Sequence, residues 1–233
     1  INARRGRNNG YIWQVRVLGH GRGGKTCAQQ QRGDCSLQTH THVEILYRYC
    51  SIDQPQSTAQ SRRMTFSSRI TRSPIPFDPA RGQDAAEPFG DFSNEVRGLI
   101  AGAAGCSPYI AGLLARDGAW LRDVLDHPDA ALQDELVRIA QLPLPDLAQG
   151  LRVAKRRIAL LAGIADLGGV WTLEDVTQAL SNLADGAVDV ALKRLVGAEI
   201  ARGKIPGQTG DDAGTAAGMV SIAMGKGGAY ELN

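Results

Sequence analysis

The stretch DLAQGLRVAKRRIALLAGIADLGG, residues 146–169, decides how most of this chain is expected to fold. Its spacing places one set of apolar residues on a single face of an α-helix, and a pair of glycines marks the end of that helix. A helix with such a face is stable when other helices cover it, so the stretch predicts a helical bundle. The residues of the apolar face are Leu147, Leu151, Ala154, Ile158, Leu161 and Ala165.

Helix start signals flank this stretch on both sides. Ser107-Pro108 combines an N-cap residue with a proline at the first helical position, and His127-Pro128 restarts the chain after a break. Thr172 has Asp175 in the capping-box position. Residues 91–204 are therefore predicted to be a helical region. Within it, we expect one helix to end near Gly118 and a separate short helix to follow.

The charges divide the chain into two unlike parts. Residues 1–63 carry ten basic and three acidic residues, a net charge of +7, whereas residues 64–233 carry 16 basic and 21 acidic residues, a net of −5. The first part has no helical or strand period and begins with Ile. We interpret it as an unstructured basic segment read through from upstream of a start at Met64. A disordered, translated arm is the alternative. The acidic main part gives no indication of nucleic-acid binding.

A phosphate-binding motif occurs in this basic segment. Residues Gly19–Thr26 satisfy the Gly-x-x-x-x-Gly-Lys-Thr pattern of a P-loop. A P-loop must open an apolar helix, but the residues that follow it, 27–34, are polar and interrupted by glycine. A P-loop nucleotide-binding protein therefore remains a weaker alternative.

The sequence predicts neither a metal site nor a membrane span. The cysteines at 27, 35 and 50 and the histidines at 40 and 42 lack the paired spacing of a structural zinc site. Cys106, in the helical region, is expected to be reduced and buried. The most apolar window, residues 99–115, is interrupted by Ser107-Pro108, and no signal peptide is visible, so we expect a cytoplasmic protein.

Residues 64–90 contain four prolines and two glycines, which predicts a flexible Pro-rich lead-in to the helices. Further on, Arg152, Lys155, Arg156 and Arg157 form a basic cluster on the long helix. This cluster could face a phosphate or an acidic partner, although a solvated helix face is the simpler interpretation. It supports a second hypothesis, a non-catalytic helical interaction module.

The last residues, 215–233, differ from the helices before them. An apolar run, Val220–Met224, predicts a strand, and Gly225-Lys226-Gly227-Gly228 predicts a turn before a helix start. Such a turn lets backbone N–H groups approach a phosphate, and the lysine adds positive charge. A strand without a partner cannot complete a sheet, so this is expected to be the truncated first strand and turn of an α+β domain.

The stretch Met224–Asn233 resembles a motif of the bacterial bifunctional glutamine synthetase adenylyltransferase/adenylyl-removing enzymes. That family has Met-Gly-Lys-Leu-Gly-Ala/Gly-x-Glu-Leu-Asn, followed by Ser-Ser-Asp-Ile-Asp-Leu. The helices at 151–157 and 171–181 are also similar to the family, and the resemblance covers about residues 91–233. This chain departs from the motif at Gly227, where the family has Leu or Met.

The resemblance implies a mainly α chain that leads into an α+β nucleotidyltransferase fold. Gly225, Lys226 and Gly228 would belong to a nucleotide-phosphate turn, and Glu231 and Asn233 to the helix that leads to the catalytic strand. The family adds AMP to glutamine synthetase and removes it again in the control of nitrogen assimilation. The short lead before the motif suits the half that removes AMP from a tyrosine by phosphorolysis.

The resemblance also implies what this chain lacks. The family's magnesium-binding carboxylates lie in the Asp-Ile-Asp that follows Asn233, so no catalytic residue and no metal ligand is expected here, and the fragment is predicted to be inactive alone. The partners implied are glutamine synthetase, the PII nitrogen-signalling protein, ATP or ADP, and phosphate.

Overall fold

A computed structural model describes residues 65–232. This part of the chain is helical and contains no strand. The α-helices are α1 (Phe66–Arg69), α2 (Pro79–Ala86), α3 (Asn94–Cys106), α4 (Pro108–Val124), α5 (Pro128–Ala140), α6 (Leu144–Leu167), α7 (Leu173–Ala201) and α8 (Gly225–Gly228). Two 3-10 helices, Glu87–Phe89 and Gly210–Gly218, complete the described elements.

Two of the predicted start signals, at Ser107 and Thr172, cap helices through their side chains, whereas His127 before α5 makes no such bond. The Ser107 hydroxyl accepts a hydrogen bond from the Ile110 N–H at 3.2 Å, and Pro108 is the first residue of α4. At the start of α7, the Thr172 hydroxyl accepts from the Asp175 N–H, while the Asp175 carboxylate accepts from the Thr172 N–H at 2.9 Å. Both bonds satisfy amides that have no partner within the helix. The capping box predicted from the sequence is confirmed.

The helix predicted to end near Gly118 does not end there. α4 continues through Gly118 to Val124, so the separate short helix predicted after it is wrong. Glycine inside a helix costs only about 1 kcal/mol. Continuing the helix places Leu121 in the core, and neither Leu121 nor Leu125, just beyond the helix, has any exposed surface. The free energy gained by burying these side chains outweighs the cost of the glycine.

α6 is the centre of the bundle, in contact with α3, α4, α5 and α7. Five of the six predicted apolar positions are buried, and Leu151 is partly buried. Leu160 and Ile164, which lie outside the predicted face, are also fully buried. α6 is therefore covered on more than one side, as is typical of a central helix.

A smaller core forms at the end of α7. Val196 and Ile200 pack with Ala216, which belongs to the 3-10 segment Gly210–Gly218. Ala216 and Ala217 adopt positive φ values of 50° and 52°, and this kink folds the segment back onto α7. The polar, glycine-containing stretch 203–214 is thus partly helical.

The prediction of a flexible lead-in is wrong for residues 65–90, which pack on the helices. Phe66 and Phe89 are each only 1% exposed, and the Thr71 N–H donates to the Gly168 carbonyl at 2.9 Å. The segment passes directly over glycines of α3: a Cβ on Gly102 would overlap the Pro74 carbonyl oxygen. The prolines therefore shape a chain that packs on a glycine-rich helix face, which local sequence reasoning does not detect.

An arginine on α4 fastens the end of this segment. Arg122 binds both carboxylate oxygens of Asp91, at 2.8 and 2.9 Å, and its guanidinium lies 5.1 Å from the centre of the Phe92 ring. The hydrogen bonds from Arg122 hold the pKa of the Asp91 carboxyl below its ordinary value. The pair thus joins the turn before α3 to the last turns of α4.

Cys106 is exposed rather than buried, which corrects the prediction. It is the last residue of α3, and its S–H donates to the Ile75 carbonyl at 3.0 Å. No helix among residues 65–232 combines the length and the apolar character needed to cross a membrane.

The contact between α3 and the lead-in can be tested with two glycines of α3. We expect Gly102→Ala to lower the free energy of unfolding by about 1–3 kcal/mol, because the added methyl group displaces the chain at Pro74. The matched control is Gly98→Ala, where a Cβ has open space, and it should stabilise by up to about 1 kcal/mol. Urea unfolding followed by circular dichroism measures both. Equal effects of the two substitutions would refute the contact.

Candidate functional site

The predicted strand Val220–Met224 does not form within the described residues. These residues have no ladder partner, and Ile222 and Met224 are largely exposed. An isolated strand leaves its backbone groups unpaired, so the pattern alone does not produce a sheet. The segment instead connects the 3-10 helix Gly210–Gly218 to the short helix α8.

The predicted phosphate turn is a single helical turn with two glycines that its geometry requires. Gly225 has a φ of +59°, and a Cβ on Gly228 would lie 2.6 Å from the Ala223 carbonyl oxygen. The turn closes with the Glu231 N–H donating to the Lys226 carbonyl at 2.9 Å. The structure thus brings together Gly225, Lys226, Gly228 and Glu231, and Asn233 lies outside the described residues.

Gly227, where this chain departs from the family motif, has room for a side chain. The nearest neighbour of a Cβ at this position would be the Ala223 methyl group at 3.8 Å, an ordinary contact. Its φ is not in the left-handed region. The backbone of this turn therefore does not require glycine at 227, unlike at 225 and 228.

A tyrosine anchors the turn to the long helix α7. The Tyr230 hydroxyl donates to the Asp185 carboxylate at 3.0 Å, and Tyr230 itself has a φ of +59°. This bond spans 45 residues of sequence. Asp185 was missed by sequence reasoning, because nothing in the local pattern of α7 distinguishes it from the other acidic residues of this helix.

The basic cluster of α6 divides into two pairs. Arg156 and Arg157 are directed into the bundle, where Arg156 donates to the Asp117 carboxylate at 2.9 Å and Arg157 to the Glu135 carboxylate at 2.6 Å. Asp117 is 6% and Glu135 is 4% exposed. Buried carboxylates require such partners, so these two arginines serve the fold rather than a ligand.

Two further contacts complete this ion network. Arg138 of α5 donates to Glu135 at 2.6 Å and to the Gly150 carbonyl at 3.2 Å. The guanidinium of Arg157 lies 5.2 Å from the centre of the Trp120 ring, a cation–π contact. The network therefore joins α4, α5 and α6 through charged groups.

The other two cations of the cluster, Arg152 and Lys155, line a groove between α4 and α6. The groove has a volume of about 480 Å³. Its α4 wall contains Tyr109, Gly112 and Arg116. The interpretation of the cluster as a solvated helix face is thus wrong for Arg156 and Arg157, whereas Arg152 and Lys155 are exposed.

The remaining predicted sites lie elsewhere. The P-loop pattern Gly19–Thr26 and the cysteines and histidines between 27 and 50 are outside the described residues. Among residues 65–232, no three His, Cys, Asp or Glu side chains converge in a way that could hold a metal ion. The described residues therefore do not fit a magnesium site.

Comparison with known proteins identifies the class of this chain. The family model described as glutamate-ammonia ligase adenylyltransferase matches residues 98–233, from α3 to the end of the chain, which is more than half of its length. The chain therefore belongs to this family.

Individual relatives agree with this family. The bifunctional glutamine synthetase adenylyltransferase/adenylyl-removing enzyme of Caulobacter vibrioides is 36% identical over 168 residues, which are 67% of this chain and 17% of that protein. The enzyme of the same name from Bradyrhizobium diazoefficiens is 38% identical over 154 residues, 63% of this chain and 15% of that protein. This chain thus spans about a sixth of the length of these relatives. No solved structure matches it. The resemblance seen in the sequence is confirmed.

The ion network yields a stability prediction. We expect Glu135→Ala to lower the free energy of unfolding by about 3 kcal/mol, because it leaves Arg138 and Arg157 without their buried acid. Asp134→Ala, on the exposed side of the same helix, is the control and should change stability by less than about 0.5 kcal/mol. Thermal unfolding of the two variants gives the comparison. A loss for Glu135→Ala no larger than that for the control would contradict a structural role.

The anchor of the turn yields a local prediction. We expect Tyr230→Phe to remove about 1 kcal/mol of local stability, since the hydrogen bond to Asp185 is lost while the ring remains. Hydrogen exchange measured by mass spectrometry should then be faster in residues 225–232, with the melting temperature of the bundle unchanged. Tyr109→Phe, on an exposed tyrosine of α4, is the control and should leave exchange in 225–232 as it was. Unchanged exchange in Tyr230→Phe would rule out the anchor.

Proposed function

We propose that this chain acts, as part of a longer protein, in the transfer of adenylyl groups to and from glutamine synthetase. The observation that carries the proposal is the family match over residues 98–233, which includes helices α4 to α7 and the turn at Gly225–Gly228. The printed names of the relatives give the same chemistry, addition and removal of an adenylyl group on glutamine synthetase.

Within this function, the chain serves the adenylyl-removing half. The printed names of the relatives include an adenylyl-removing activity beside the adenylyltransferase activity. In this half, phosphate attacks the phosphorus of the AMP group attached to a tyrosine, the bond to the tyrosine oxygen breaks, and ADP leaves. Phosphate, ADP and modified glutamine synthetase are then the ligands, and the PII protein is the regulatory partner. The cytoplasmic location inferred from the sequence stays a prediction.

The role of this chain in that reaction is to position the nucleotide. Lys226 supplies a positive charge beside two glycines whose backbone geometry disfavours other residues, and the Tyr230–Asp185 hydrogen bond fixes the turn on α7. The metal-binding carboxylates come from elsewhere in the longer protein, because no Asp-x-Asp occurs in residues 1–233. No step through a metal ion is assigned to the residues of this chain.

The proposal predicts that residues 1–233 neither add nor remove AMP. Purified chain, mixed with adenylylated glutamine synthetase, magnesium and phosphate, should release no ADP above the rate without protein. ADP is measured by chromatography, and the longer protein that includes this segment is the positive control. Release of ADP by residues 1–233 alone would overturn the assignment of the carboxylates.

A second prediction concerns Lys226 in the longer protein. We expect Lys226→Ala to slow phosphorolysis at least about tenfold, because a charge-assisted contact to phosphate contributes about 1.5–3 kcal/mol. The matched control is Lys204→Ala, an exposed lysine after α7, which should leave the rate within about twofold. Equal rates in the two variants would show that the turn is not part of the nucleotide site. They would not affect the assignment of the chain to its family.

A further inference from the structure

The groove between α4 and α6 has a charge pattern that the fold does not explain. Arg116, Arg152 and Lys155 are exposed, and none of them makes an ion pair or hydrogen bond among residues 65–232. The neighbouring Arg156 is neutralised by Asp117. Since residues 64–233 carry a net charge of −5, three unpaired cations on one groove are not an average surface.

The floor of the groove between these cations is apolar. Leu113 is only 4% exposed at its base, whereas Tyr109 is 61% exposed at one end, beside Pro108. Tyr109, Gly112 and Arg116 follow one another on one side of α4 over about 10 Å, at 1.5 Å per residue. The groove therefore offers an apolar strip bordered by positive charge.

A glycine keeps the middle of the groove open. A Cβ added at Gly112 would meet no atom within 4 Å, so this position is neither a close helix contact nor a special backbone conformation. Alanine or leucine would favour the helix by up to about 1 kcal/mol at such a position. Glycine here gives up helix stability and leaves room above Leu113.

We propose that this groove binds an acidic peptide segment of another protein, one that carries an apolar side chain between its carboxylates. The apolar side chain lies over Gly112 and Leu113, and the carboxylates lie next to Arg116, Arg152 and Lys155. Charge complementarity and burial of the apolar group together provide the binding energy. The proposal is independent of the nucleotidyl-transfer function.

Other occupants fit the groove less well. A phosphate ligand would use free amides at the start of α4, but Pro108 has no N–H and the amides of Ile110 and Ala111 already donate to Ser107, which leaves only the Tyr109 N–H. Residues 1–63 of this chain carry a net charge of +7, which three unpaired cations would repel. An acidic segment with an apolar anchor matches both the charge and the floor.

The test is a fluorescence anisotropy titration of the chain with a labelled peptide, Glu-Glu-Leu-Glu-Leu-Glu-Glu. We expect saturable binding that weakens as salt is raised, because exposed charges are screened. A peptide with serine in place of leucine should bind at least about fivefold more weakly, since about 1 kcal/mol of apolar burial is lost. A peptide with lysine in place of glutamate should not bind.

Variants of the groove distinguish this site from general attraction. Gly112→Leu places a side chain in the groove at a position where a Cβ has open space, and it should weaken binding at least about tenfold. The combined variant Arg116→Glu, Arg152→Glu and Lys155→Glu should have an effect of the same size. The controls, Gly98→Leu and Arg97→Glu on the exposed side of α3, should leave the affinity within about twofold. Melting temperatures verify that each variant folds, and Arg152→Glu alone replaces the combined variant if the latter does not.

Several results would overturn the proposal. One is binding of the serine peptide as tight as that of the leucine peptide, and another is unchanged affinity in Gly112→Leu. A third is displacement of the peptide by inorganic triphosphate at equal charge concentration, which would indicate a phosphate site. Absence of any saturable binding by the leucine peptide at low salt would equally refute an acidic-peptide groove.

Discussion

Burial of α6 on several sides is the constraint on which the rest of the bundle depends. Ile158, Leu160, Leu161 and Ile164 have no exposed surface, so neighbouring helices must cover α6 around much of its circumference. Only a narrow sector of this helix remains for charged residues. The four cations at 152–157 differ in environment: Arg156 and Arg157 reach buried acids, and Arg152 and Lys155 are exposed along the groove between α4 and α6.

The buried acids make this arrangement specific. Asp117 and Glu135 would each be costly without a positive partner, and each finds one in α6. The Glu135–Arg157 pair links α5 to α6, and the Asp117–Arg156 pair links α4 to α6. The same pairing defines the edge of the basic groove, since Arg156 contributes to its wall while its charge is already balanced.

Local signals predicted the helices well and their environment poorly. Caps at Ser107 and Thr172 and the apolar face of α6 have short-range causes, so spacing alone reveals them. The burial of Leu160 and the packing of residues 65–90 on α3 depend on distant chain segments, as does the continuation of α4 through Gly118. The predicted strand failed for a related reason, because a strand needs a partner that the pattern does not contain.

In the candidate site, the glycine–lysine turn was predictable from the sequence, whereas its anchor at Asp185 was not. A single long-range hydrogen bond produces no periodic pattern in the sequence.

The two surfaces of interest depend on the bundle in different ways. The turn at Gly225–Gly228 is held by its own hydrogen bonds and by the hydrogen bond from Tyr230 to Asp185 of α7. Its position therefore depends on a few polar contacts in an exposed region. The groove is formed by side chains of two packed helices, and its shape follows from the core beneath it. The groove therefore has its shape before a partner binds, and little free energy is needed to order its side chains on binding. The turn, by contrast, opens at low cost, because few apolar contacts hold it. A preformed groove agrees with the proposed recognition of a protein segment, and an exposed turn agrees with the proposed contact to a nucleotide phosphate.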